Sequence, residues 1–201
     1  MKPPILLASG SPRRIFLLRE AGYNVVDIIR SDAEEILPES HEVEEIVVTN
    51  AGIKARDVLA AIDREERRFD PDVVLLAADT LVVLGNRVYP KPKDWAEAEQ
   101  FMHELGGRRH RVLTGVFLHH FGSGRSHGFC EATHVTLQKL TRDEMYKVWE
   151  TVNPLDKAGA YAYQGEPNIV ASLDGSETNV IGLPMERLAR ELTGLLDSSS
   201  G

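Results

Sequence analysis

The chain has 201 residues, 42% hydrophobic and 27% charged, which suits a globular protein with a sizeable core and excludes a disordered one. Its net charge of −8 disfavours a general nucleic-acid-binding surface, so any cationic cluster must be local and its ligand small. The single cysteine, Cys130, excludes an intramolecular disulfide and a zinc–cysteine cluster. No leader pattern and no bilayer-length apolar run is present, so a cytoplasmic setting without membrane or nucleic-acid partners is expected.

The elements follow in chain order. Ile5 to Ala8 reads as a short buried strand, and Pro12 fits the first turn of a helix that Gly22 stops. Val25 to Ile29 is the next strand, followed by an acidic loop running into Pro38. From about Glu42 to Arg67 lies the longest helical signal, with Ala51, Ala55, Val58, Leu59 and Ile62 on one face. Asp72 to Ala78 is a near-continuous apolar strand bounded by Asp79-Thr80, and Leu81 to Tyr89 folds around Gly85-Asn86 as a hairpin.

Asp94 caps a helix through Leu105, which Gly106-Gly107 ends. Val112 to His119 and Glu131 to Leu137 form antiparallel strands around Gly122-Ser123-Gly124. Thr141, with Glu144 three residues on, caps a helix to about Val152. Ile169 to Leu173 is an edge or hairpin strand, Pro184 opens the last helix to about Leu196, and 198–201 is expected to be a flexible tail. Strands alternate with helices early and cluster in the middle, which favours an α/β protein with a mixed sheet.

The chemistry gathers at a few points. A helix opening at Ser9-Gly10-Ser11-Pro12-Arg13-Arg14 offers free backbone N–H groups, two hydroxyls and two guanidiniums, the ingredients of a phosphate site or of an ordinary capped helix. It is not a Walker loop, because the glycine frame and Lys-Ser/Thr are missing. Asp79 stands where a buried strand emerges; a carboxylate there holds a hard cation, serves as a general base, or simply caps a turn. Lys54 lies beside the apolar face of the long helix, and Lys91 is held between Pro90 and Pro92 as a point charge. Glu34-Glu35 becomes a metal-binding pair with Asp79 only if the fold brings them together. The histidines lack a His-x-x-x-His spacing, which argues against zinc, and His110 reads as a packed or hydrogen-bonded group at the start of the sheet.

These segments resemble the Maf family of nucleoside triphosphate pyrophosphatases, related to the inosine triphosphatase fold. The resemblance runs through Leu7 to Arg14, Lys54-Ala55, Ala78-Asp79-Thr80, Lys91-Pro92, Gly107 and His110 to Gly115. It continues through Pro154 to Tyr161, Gln164-Gly165 and Asn179 to Pro184, so that it spans roughly residues 5 to 196. It implies a mixed central sheet flanked by helices, two lobes with a cleft between them, in one domain over 1–197. It also implies hydrolysis of a nucleotide's α–β phosphate bond with magnesium or manganese, and a possible homodimer.

Carried over residue by residue, the resemblance makes Asp79, Lys54 and Lys91 catalytic. Ser9, Ser11, Arg13, Arg14, Thr80 and Gln164 would bind substrate, and Glu35, or Glu34 with a one-residue offset, would hold the metal with Asp79. Thr80, and the lack of Trp at positions 12 to 15, favour the branch acting on dTTP and UTP over that acting on 7-methyl-GTP. A nucleotide-binding regulator of the same fold linked to cell-division control is the other alternative. The chain departs from the family at Glu166-Pro167-Asn168, where glycines are usual, and at Glu177-Thr178, where small and aromatic residues are expected.

Overall fold

A computed structural model describes residues 2–36, 43–164 and 167–197. The tail at 198–201, Pro38 and Gly165 lie outside the described residues. The strands are β1 (Ile5–Leu7), β2 (Val25–Ile28), β3 (Val74–Leu84), β4 (Arg87–Tyr89), β5 (Arg109–His120), β6 (Ser126–Leu137) and β7 (Val170–Asp174). The helices are α1 (Pro12–Glu20), α2 (Val43–Arg64), α3 (Trp95–Leu105), α4 (Arg142–Trp149), α5 (Glu177–Ile181) and α6 (Met185–Asp197). All strands join one sheet in the order β2-β1-β3-β5-β6-β7, with β4 also on β3. The β1–β2 and β1–β3 pairs are parallel and the others antiparallel, which makes the sheet mixed, as expected.

The capping chemistry read from the sequence is present. Asp94 accepts from the Glu97 N–H at 2.8 Å, and Thr141 and Glu144 form a reciprocal capping box. The short helix α5 and the two 3₁₀ turns Pro154–Asp156 and Ala158–Ala160 were not foreseen; each is too brief to show an amphipathic period.

One expectation is corrected. Asp79 does not end a strand: β3 runs unbroken from Val74 to Leu84, and what stops is its neighbours. On one side β5 pairs with β3 all the way from Val74 to Val83. On the other, β1 covers only Val74 to Leu76 and β4 only Val82 to Leu84, leaving a notch in which Asp79 and Thr80 lie.

Alternation along β3 then divides the core. Leu75, Ala77, Leu81 and Val83 face α2, packing with Val47, Ala55 and Val58. On the opposite face, Ala78 of β3 and Val116 of β5 join a cluster with α1 and α6, while Val82 and Val112 join another with α3 and α4. Between those two clusters the facing pair is Thr80 and Thr114, whose hydroxyl oxygens are 3.0 Å apart. A polar seam therefore splits one sheet face into two apolar lobes, and a cleft opens above it.

The close approach of α2 to the sheet depends on Gly115, directly opposite Asp79 on β5. A Cβ at Gly115 would lie 2.2 Å from the Val47 carbonyl and 2.4 Å from the Val48 nitrogen. Its missing side chain lets helix backbone rest on strand backbone about two turns before Lys54.

Candidate active site

The cleft, of about 600 Å³, lies over the notch and the seam, within the size range of small-molecule sites. It is lined by segments far apart in the chain: Ser9, Ser11, Arg13 and Arg14; Glu35; Lys54; Asp79 and Thr80; Lys91; and Gln164. All ten of these residues, drawn from six separate segments, line this one cavity. Of the two adjacent glutamates, Glu35 lines the cavity and Glu34 is not among the lining residues.

The wall toward α2 is charged. Lys54 Nζ lies 2.8 Å from Asp79 Oδ1 and 2.7 Å from Glu35 Oε1, so one ammonium is bracketed by two carboxylates. Asp79 is only 4% exposed, and its second oxygen, Oδ2, accepts from Asn50 Nδ2 at 2.9 Å. Each oxygen of this buried carboxylate thus has one donor, as its burial requires, with acceptor capacity to spare.

On the wall toward α1, a buried guanidinium meets neutral partners. Arg14 donates from Nε to the Gly182 carbonyl (2.9 Å), from Nη1 to Ser9 Oγ (3.0 Å) and from Nη2 to Thr80 Oγ1 (3.1 Å). Burial lowers its pKa from the ordinary guanidinium value, Asp79 opposing and Arg13 reinforcing the shift. Each of its nitrogens has an acceptor within the chain, so Arg14 ties α1, β3 and the turn after α5 together. Arg13, its neighbour, has no ion pair among the described residues and lines the cleft, as does the exposed Lys91. The two arginines that look equivalent in sequence occupy different structural roles.

Several cleft residues escaped the sequence reading. Arg30 lines the cavity, its guanidinium lying across Gly10, where a Cβ would come within 2.4 Å of Nε. Its signal was its place just beyond the carboxyl end of β2. Lys157, paired with Asp156 at 2.5 Å, and Tyr161 sit within the recognised Pro154 to Tyr161 segment but were not singled out. The Tyr161 hydroxyl meets His110 Nε2 at 2.8 Å, and His110 Nδ1 meets the Arg108 carbonyl at 3.1 Å. A carbonyl only accepts, so Nδ1 carries the proton and Tyr161 donates to Nε2. Burial pushes the His110 pKa down to about 4 and drives the Tyr161 hydroxyl well up, so both stay neutral.

No cluster of three or more His, Cys, Asp or Glu side chains stands ready for a metal among the described residues. The donor set nevertheless fits a hard divalent cation. Asp79 and Glu35 converge on the same ammonium, so their oxygens lie near one another, and such cations commonly take one or two carboxylates with water and substrate phosphate. Among the described residues, no helix is long and apolar enough to cross a membrane.

Fold and cleft together define an α/β protein with a cationic, carboxylate-bearing site at a break in a mixed sheet. Comparison with known proteins makes this specific: the chain belongs to the Maf family, whose model, described as "Maf-like protein", matches residues 4–195. Its relatives include a protein of Bacillus thuringiensis subsp. konkukian named dTTP/UTP pyrophosphatase, 38% identical over 94% of this chain and 93% of that one. Proteins of the same name from Desulfitobacterium hafniense and Vibrio parahaemolyticus are 37% and 36% identical, covering 94% and 90% of this chain and 84% and 91% of theirs. Among solved structures, a HAM1 protein from Coxiella burnetii shares the fold, with a TM-score of 0.50 at 16% identity over 98% of this chain and 100% of that one.

Proposed function

We propose that the protein is a nucleoside triphosphate pyrophosphatase that hydrolyses the α–β phosphate bond of dTTP and UTP, giving the monophosphate and pyrophosphate. The carrying observation is that Asp79, Lys54, Glu35, Arg13 and Lys91 line one cleft from separate parts of the chain. Family membership and relatives named dTTP/UTP pyrophosphatase support the same reading. A local cationic pocket on an acidic protein suits a small polyanion.

The geometry supports the following roles. Asp79, buried and held at both oxygens, is the group that orients the attacking water and takes its proton. The water oxygen bonds to the α-phosphorus as the bridging bond to the β-phosphate breaks, and pyrophosphate leaves. Arg13 and Lys91, together with the N-terminus of α1, offset the negative charge of the phosphate tail, and Lys54 does so from beside the base. Arg14 holds Ser9 and Thr80 in place, so its contribution to binding runs through them. Glu35 and Asp79 would hold a magnesium or manganese ion, whose chemistry is to neutralise phosphate charge. Gln164, Tyr161 and Val180 also line the cavity and supply amide, aromatic and apolar surface suited to the nucleobase. A one-domain enzyme, cytoplasmic and homodimeric, belongs to the same proposal.

The test is a panel of nucleoside triphosphates with magnesium or manganese, scoring pyrophosphate and monophosphate. Pyrophosphate release fastest from dTTP and UTP is expected, with loss on chelation. Inorganic phosphate as the first product, or no turnover of any triphosphate, would reject the reading.

A further inference from the structure

Asn50 is a polar residue placed where α2 should be apolar. It stands between Val47 and Ala51, one turn before Lys54, and is 1% exposed. Asparagine is a poor helix former and is costly to bury unless all its polar atoms are matched. Here they are matched. Its Oδ1 accepts from the Ile36 N–H at 2.9 Å, while Nδ2 donates both to the Ile36 carbonyl (3.0 Å) and to Asp79 Oδ2 (2.9 Å). The orientation of the amide is fixed by chemistry, since only its oxygen can accept from a peptide N–H.

These three bonds connect the two carboxylates of the site. The chain at Ile36 is gripped on both its N–H and its C=O, one residue after Glu35. The other amide hydrogen occupies the inner oxygen of Asp79, leaving Oδ1 as the oxygen directed to Lys54. Asn50 and Lys54 lie four residues apart on one helix face, so the helix presents a clamp and a charge to the same carboxylate. We infer that Asn50 is a positioning residue, setting at once the rotation of Asp79 and the distance of the Glu35 segment from it. The inference rests on the pyrophosphatase reading only for its rate readout.

Asn50→Leu keeps the volume and suits the apolar stripe, and Asn50→Asp keeps an acceptor for the Ile36 N–H while losing both donors. In Asn50→Leu we expect kcat on dTTP to fall between roughly 10- and 100-fold, as for loss of outer partners of site groups, with KM changed less than about threefold. Amide hydrogen exchange at Ile36 should speed up in Asn50→Leu and stay near wild type in Asn50→Asp, although kcat falls in both. Wild-type kcat in a folded Asn50→Leu variant, or unchanged exchange at Ile36, would overturn the inference. Equal loss of kcat and melting temperature with a raised KM would reduce Asn50 to a packing residue. If wild-type protein hydrolyses no triphosphate, the functional reading fails while the exchange experiment still decides the clamp.

Discussion

Asp79 and Thr80 are neighbours on one strand, yet they open onto opposite faces of the sheet and into different kinds of chemistry. On the α2 face, Asp79 meets an amide and an ammonium, the latter shared with the Glu35 carboxylate. On the α1 face, Thr80 meets a hydroxyl and a guanidinium whose own partners are all neutral. Both reach one cleft because β1 and β4 leave the strand bare between them. The comparison teaches that the two walls use charge differently: on one, opposite charges pair around Asp79, and on the other a buried guanidinium ties α1, β3 and the turn after α5 together through neutral partners.

Substitutions can separate the two walls. The largest effect is expected at Asp79→Asn, which should keep the fold and lower dTTP hydrolysis by about 10³-fold, in the range for loss of a general base. Pyrophosphate release with magnesium measures it, and near-native turnover would reject a catalytic role for that wall. Next comes the arginine pair. Arg14→Ala removes three hydrogen bonds and should destabilise by about 3 kcal/mol, lowering the melting temperature by about 8 °C. Arg13→Ala should change stability by less than about 0.5 kcal/mol and instead raise the KM for nucleotide. A thermally silent Arg14→Ala would erase the proposed contrast between the walls.

A further effect concerns pH. His110 is held neutral in the fold, its pKa pushed down to about 4, whereas the unfolded chain takes up a proton near the ordinary value of about 6.5. Its contribution is therefore complete above pH 6.5 and is lost as pH falls toward 4, a change of the order of 3 kcal/mol. Urea denaturation of wild type and His110→Gln should show the stability difference shrinking across that interval. A difference independent of pH would mean that the imidazole titrates freely.

Much of the site was legible because its residues sit beside breaks in pattern: hydroxyls and arginines at a helix start, an aspartate after an apolar run, a lysine between prolines. Asn50 carried a comparable signal, a polar side chain in an apolar helical stripe, and was passed over because periodicity weighs the stripe and not its exception. The separate fates of Arg13 and Arg14 were not legible, since Arg14 depends on the Gly182 carbonyl 168 residues away. Nor was the unbroken course of β3, because a polar Asp-Thr pair reads as a strand end unless the bare notch beside it is known.

The glycine opposite Asp79 has a last implication, for ionic strength. At about 0.1 M salt, exposed charges more than roughly 10 Å apart scarcely feel one another, so affinity for a polyanion will fall as electrolyte is added. The separation between α2 and β5 obeys a different law, because it ends where Val47 backbone touches the bare α-carbon of Gly115. Hard-core repulsion is indifferent to counterions. Concentrated brine should therefore empty the pocket without changing its dimensions.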